Sequence, residues 1–344
     1  MSRFARKCVC FWVSILLCSF NAHAQTPAEF YKGKSVDVYV GFTAGGGYDL
    51  YGRLLARHLR RHIPGNPAVV PKNMDGAGSL RLANWLYNVA PKDGTAIGTI
   101  GRGLPFDSLL ARPGIQFDGS KFSWIGSVTN EVSVCATWHT TGVKTIEEAM
   151  KKEVLVGAVG AGVGADDDEF PRIINGVLGT KMRVINGYRG GNEVLLAMER
   201  GEVNGRCGWS WSSVSATRPE WVRDGRIHLI AQLGLTKHSQ LPDVPSIMEF
   251  VKTDDQRHIF ALIFARQSLA RPFIAPPGIP PERLIALREA FMATMRDPEF
   301  LSEAAKSKME VDPLSGVELQ RLVQQIHDET LPVVAKKAAS MLQQ

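Results

Sequence analysis

The chain has 344 residues, of which 44% are hydrophobic and 22% charged, a balance that fits a globular protein and excludes a disordered one. At roughly 150 residues per domain, the length suggests two domains. Three of the 40 basic residues and none of the 34 acidic ones fall in the first 24 positions; the remaining 37 against 34 is too mild an excess to argue for a nucleic-acid partner.

The N-terminus reads as an export signal. Arg3, Arg6 and Lys7 form a positive start, residues 8–20 are apolar, and Ala22-His23-Ala24 is an A-x-A cleavage site, with Gln25 as the expected mature start. The apolar stretch is too short to span a bilayer, and no later run is long enough for a membrane helix. Residues 1–24 are therefore expected to be removed in the periplasm. Cys135 and Cys207 then remain in an oxidising compartment, either bridged or as two buried thiols.

From there the chain alternates between strand and helix patterns. Val36, Val38 and Val40 mark a first strand, followed by the loop TAGGGYD and a helix carrying Leu50, Leu54 and Leu59 on one face. His58 and His62 extend the solvated basic face of that helix. A strand at 68–73, the loop MDGAGS, a helix through Leu82, Leu86 and Val89 and a strand at 95–101 complete the first run. The second run starts with Thr145 and Glu148 at capping-box spacing. A strand at 154–160, the loop AGVGADDD, a helix, the strand MRVINGY, the loop RGGN, another helix and the strand VNGRCGW follow. The alternation predicts parallel sheets covered by helices on both faces.

Two extended segments, residues 122–138 and 227–235, read as crossings between two α/β lobes. The expected division is 25–127 plus 235–344 for lobe 1 and 128–234 for lobe 2. The tail is punctuated by prolines (LPDVP, RPFIAPPGIPP) before a helical stretch at 284–295.

The glycine loops carry the strongest functional signal. TAGGGYD puts free backbone N–H groups at the start of a helix, where the dipole favours an anion. Gly46 and Gly162 are expected to need the left-handed freedom of glycine. The third glycine of a dinucleotide fingerprint is missing, so no nucleotide cofactor is expected. Asp166, Asp167 and Asp168 read as helix-start acids or as a weak metal candidate without the EF-hand spacing. GWSWS around Ser210 lacks the final glycine of a nucleophile elbow, and a pairing of Ser210 with His228 or His238 would need a coincidence of folding.

Taken together, YKGKSVDVYVGFTAGGGYD, NMDGAGSLRLANWLYNVAPKDGT, GYRGG, RGEVNGR, KHSQLPDVPSIMEF and APPGIPPERLIALREAF resemble the solute-binding proteins of tripartite tricarboxylate transporters, the Bug-type receptors. The resemblance spans nearly the whole mature chain. It implies a monomeric periplasmic receptor of two α/β lobes joined by two crossing strands. It also implies a small carboxylate ligand, a two-subunit membrane permease as partner, no cofactor, no metal and no catalysis. An exported hydrolase-like enzyme and a sensor for a membrane signalling partner are the alternatives.

Carried over, the ligand would meet Thr43, Ala44, Gly45, Gly46, Gly47 and Asp49, with Ser79 and Arg102 from the same lobe. The opposite lobe would contribute Gly160, Gly162, Val163, Gly164 and Ala165, then Tyr188, Gly190 and Trp209. The chain departs from the family pattern in having Ala44 and Asp75 where proline is usual, and aspartates after Ala165 where Ser or Thr is common. An inward Asp166 would repel a dianion or favour an amino-bearing ligand.

Overall fold

A computed structural model describes residues 25–159 and 165–343. The expected signal peptide and residues 160–164 lie outside the described residues, and with them Gly160, Gly162, Val163 and Gly164.

The first run is α1 (Pro27–Tyr31), β1 (Ser35–Val40), α2 (Gly47–Leu59), β2 (Ala68–Asn73), α3 (Leu80–Asn88) and β3 (Ala96–Thr99). Then come β4 (Ser123–Ser127) and β5 (Ser133–Trp138), which split the long extended segment between two sheets. The second run is α4 (Ile146–Lys151), β6 (Val154–Val159), α5 (Asp166–Leu178), β7 (Met182–Tyr188), α6 (Gly191–Arg200), β8 (Gly205–Ser210), α7 (Trp211–Thr217), α8 (Pro219–Arg223) and β9 (Ile227–Leu233). The tail forms α9 (Asp254–Phe264), β10 (Pro272–Ala275), α10 (Pro281–Thr294), α11 (Pro298–Lys306), β11 (Leu314–Ser315), α12 (Gly316–Glu329) and α13 (Pro332–Leu342).

Two mixed sheets result. The first has the order β11-β4-β10-β3-β1-β2 and the second β7-β6-β8-β5-β9. Purely parallel sheets do not form. β10 inserts antiparallel between β3 and β4, and β5 runs antiparallel to both β8 and β9. Pro71 removes a backbone donor from β2, and β2 accordingly takes a sheet edge.

Helices cover both faces of each sheet. On the first, Val36, Val38 and Phe273 pack with Leu54, Leu55 and Phe291 on one face, while Ile274 and Trp124 pack with Leu82, Leu86 and Leu319 on the other. On the second, Val154 and Val156 pack with Phe170 and Ile173, while Val134 and Trp209 pack with Leu195 and Trp221.

The packing changes over elsewhere than at residue 234/235. Ile259, Phe260 and Phe264 of α9 and Val334, Ala338 and Leu342 of α13 join the core of the second sheet. Residues 227–233 do not cross either. β9 lies wholly in the second sheet, and the chain returns to the first just before β10. After α12, which packs on the first sheet, α13 passes to the second again.

Candidate functional site

The carboxyl ends of β1, β3, β6 and β8 converge on a cleft between the two sheets, where ligands of open α/β sheets bind. The cleft encloses about 70 Å³ open to the centre of a water-sized sphere. One water needs about 10–15 Å³ by that measure, so the space suits a small molecule.

The loop after β1 forms one wall. Phe42, Thr43, Gly46, Gly47 and Tyr48 line it. The Tyr48 ring stacks on Phe42 with centroids 4.4 Å apart, and the Arg271 guanidinium lies over the Tyr48 ring, 4.5 Å from its centroid. Asp49 turns away from the cavity. Its carboxylate accepts from Gly45 N, Arg53 Nε and Asn73 Nδ2, each at 2.8 Å, and so fastens the loop to α2 and β2. Burial pushes the Asp49 carboxyl up, but these hydrogen bonds outweigh it and hold the group below its ordinary range.

Glycine freedom is needed one position earlier than the sequence suggests. Gly45 has φ +80°, whereas Gly46, the N-cap of α2, has φ −81°, and a Cβ there would meet only Thr43 O at an ordinary 3.7 Å.

Arg102, in the turn after β3, is the central cation and only 1% exposed. Its Nε donates to Asp166 Oδ2 at 2.6 Å, and its Nη2 donates to Ser133 Oγ at 2.7 Å and Ser210 Oγ at 3.2 Å. Burial works against the charge, yet Asp166 and its neighbours hold the guanidinium above its ordinary range. The pair joins one lobe to the other, since Asp166 opens α5 behind β6.

The second lobe supplies the opposite wall. Ala165, Asp166, Asp167, Asn192, Arg206 and Trp209 line it. Asp167 accepts from Arg206 Nη2 at 2.7 Å and from Val159 N at 3.2 Å. Arg271 enters from the residue before β10. Its Nη2 donates to Ser212 Oγ at 2.7 Å and Ser213 Oγ at 2.9 Å, with Glu131 Oε2 at 3.5 Å.

Of the residues expected at the ligand, Thr43, Gly46, Gly47, Arg102, Ala165 and Trp209 line the cavity; Ala44, Gly45, Asp49, Ser79, Tyr188 and Gly190 do not. Ser79 is buried and accepts from Gly101 N at 2.6 Å, so it braces the Arg102 turn from behind. Gly190 and Gly45 instead mark how tightly the lobes meet. A Cβ on Gly190 would lie 1.8 Å from Thr43 Oγ1, and one on Gly45 would lie 2.9 Å from Asn192 Nδ2. A Cβ on Gly47 would lie 1.9 Å from Ser213 Oγ. At the rim, Arg189 Nη2 stands 3.2 Å from Asp75 Oδ2. The cleft is closed on itself.

Arg206 and Arg271 were not expected at the site, whereas Tyr48 falls within the loop from Thr43 to Asp49 that was. Tyr48 had a local signal, because it sits at the helix start of the glycine loop. Arg271 had none, since its place depends on β10 running antiparallel and so beginning where its neighbours end.

The remaining candidates go elsewhere. His58 and His62 are not on a solvated face. They pack against α11, with His58 Nε2 at 2.6 Å from Glu303 and His62 Nε2 at 2.8 Å from Asp297. His238 pairs with Glu310 at 3.1 Å, and no histidine lines the cavity among the described residues. No group of three or more metal-ligating side chains occurs among the described residues. No helix among them is long and apolar enough to cross a membrane. Cys135 and Cys207 are register partners in adjacent strands, with Cα atoms 3.8 Å apart and sulfurs in covalent reach.

Comparison with known proteins agrees with this architecture. A UPF0065 protein "in gbd 5'region" of Cupriavidus necator is 25% identical over 298 residues, which is 83% of this chain and 82% of that protein. The periplasmic binding protein BugD superposes with a TM-score of 0.71 at 21% identity, over 90% of this chain and 98% of its own. MatC from Rhodopseudomonas palustris, solved with bound malate, gives 0.69 at 17% identity, over 89% and 99%. An R. palustris protein solved with adipate gives 0.68 at 18%, over 89% and 97%. The family model described as tripartite tricarboxylate transporter family receptor matches residues 159–338, just over half of the sequence, and the chain belongs to that family.

Proposed function

We propose that the protein is a periplasmic receptor that captures a small carboxylate-bearing solute between its lobes, without catalysis, and delivers it to a two-subunit membrane permease. The observation that carries this reading is the cavity at the strand ends of both sheets, with the buried Arg102 guanidinium reaching across it. The first lobe offers backbone N–H groups at the start of α2 and the Arg102 charge; the second offers the start of α5 and the Trp209 wall. A solute held by both lobes favours the closed arrangement, and its release reopens the cleft. Export with cleavage after Ala24, a monomeric state and the Cys135–Cys207 bridge belong to the same reading. The permease partner rests on family membership.

A thermal-shift screen of the mature chain against small carboxylates tests it. A solute at a hundred times its dissociation constant adds about 2.7 kcal/mol. At about 2–4 °C per kcal/mol for a fold of this size, the melting point should rise by several degrees. A flat response across mono-, di- and amino-carboxylates contradicts the proposal.

A further inference from the structure

The charges around the cavity are balanced, and that balance bears on the solute. This inference rests on the solute-binding reading above. Three guanidiniums line the cavity, from Arg102, Arg206 and Arg271. Each already has a carboxylate of its own chain: Asp166 at 2.6 Å, Asp167 at 2.7 Å and Glu131 at 3.5 Å. A dicarboxylate would bring two negative charges into a closed space with no uncompensated guanidinium among the described residues to receive them. Burying charge without a counter-charge is strongly unfavourable.

Polar capacity is nevertheless left over. Arg102 Nη1 and Arg271 Nε are buried donors with no hydrogen-bond partner among the described residues. Both side chains line the cavity, and both residues are at most 1% exposed. Asp166 Oδ1 is a buried acceptor with no hydrogen bond among the described residues; Arg266 Nη1 stands 3.9 Å away, beyond hydrogen-bond range. The wall thus combines spare guanidinium donors with one spare carboxylate oxygen, at net charge near zero.

We propose that this cavity selects a small zwitterion, whose single carboxylate faces Arg102 and Arg271 and whose cationic nitrogen faces Asp166. Such a solute adds no net charge and uses the spare groups of both signs. Phe42, Tyr48 and Trp209 supply apolar walls for a short carbon skeleton.

Isothermal titration of the mature chain with matched probes decides it. Suitable trios are 4-aminobutyrate, butyrate and glutarate, and β-alanine, propionate and succinate, extended to the common α-amino acids. The expected result is at least one zwitterion binding tenfold or more tighter than its matched mono- and dicarboxylate. Asp166→Asn should weaken that zwitterion at least tenfold and strengthen the dicarboxylate, because the cavity gains one positive charge. Dicarboxylates binding the unaltered protein more tightly than every zwitterion would overturn the inference and leave the receptor reading intact. Binding by none of the probes would count against both. An Asp166→Asn variant that does not fold leaves the comparison on the unaltered protein decisive.

Discussion

Two clusters of buried charge lie side by side in this molecule, and they are built to opposite ends. At the cleft, Arg102, Arg206 and Arg271 each meet one acid and surround open space. Behind it, Asp107, Glu169 and Arg266 crowd together with Arg112, Asp168 and Arg172. Arg266 forms its closest ion pair with Glu169, while Arg112 Nη1 also donates to Leu342 O at 3.1 Å and so ties α13 in. The same residue types line a cavity in one place and fill the passage between lobes in the other. Substitutions at the second cluster should therefore act on stability, and those at the first on the solute.

The largest expected effect is at the rear cluster. Arg266→Ala removes the closest cation of the buried Glu169 and leaves it the longer contact to Arg112 Nε at 3.6 Å. Loss of one partner of a buried pair costs about 3–5 kcal/mol. Urea unfolding should show that loss, and a change below about 1 kcal/mol would mean that the cluster is solvated. Reduction of the Cys135–Cys207 bridge is expected to be comparable. A closed loop of this length is worth roughly 4 kcal/mol in the chain-entropy model. Thiol titration of the unreduced, unfolded chain should find no free thiols, and two would refute the bridge.

Next come the glycines where the lobes touch. Gly190→Ala and Gly47→Ala place a methyl group against Thr43 and Ser213. They should hinder closure while leaving each lobe's core untouched. Solute affinity should fall tenfold or more, about 1.4 kcal/mol, with the melting point of the solute-free protein little changed. If instead affinity holds, closure is not coupled to capture.

Asp107 gives a pH test of the rear cluster. Burial, with Glu169 beside it, raises the Asp107 carboxyl well above its ordinary range. A raised acid contributes stability that is present below its unfolded value and is lost as pH rises through the folded one. Asp107→Asn cannot ionise, so melts at pH 5 and pH 8 should differ less in the variant than in the unaltered protein. An unchanged pH dependence would remove Asp107 from the account. The smallest effect belongs to the surface: Arg57 and Glu303 are 54% and 37% exposed, so Arg57→Ala should cost at most about 1 kcal/mol in the same urea experiment.

Much of this was legible in the sequence because it is local. Alternating valines placed β1, and the Leu50, Leu54 and Leu59 stripe placed α2, since periodicity reports which face is buried. The N-cap at Thr145 was equally visible, with its side chain accepting from Glu148 N. β10 was not. Its four residues start with Pro272 and are followed by Pro276, which leaves too little pattern, although they form an interior strand of the first sheet. The amphipathic face of α13 shows that it packs, but not on which sheet, and it went to the second lobe. The site divides in the same way. Glycine loops are contiguous signals, and Thr43, Gly46 and Gly47 followed from them. Arg206 and Arg271 reach the cavity from more than a hundred residues beyond Arg102, through strand order alone.

The most direct test of the central claim is a crystal structure of the mature protein purified from the periplasm without refolding and grown with its strongest binder from the carboxylate screen. The account predicts density for the solute between Tyr48 and Arg102 on one side and Asp166, Arg206 and Trp209 on the other, with its carboxylate against Arg102. A solute bound outside this cleft, or within it but touching one lobe only, would contradict it.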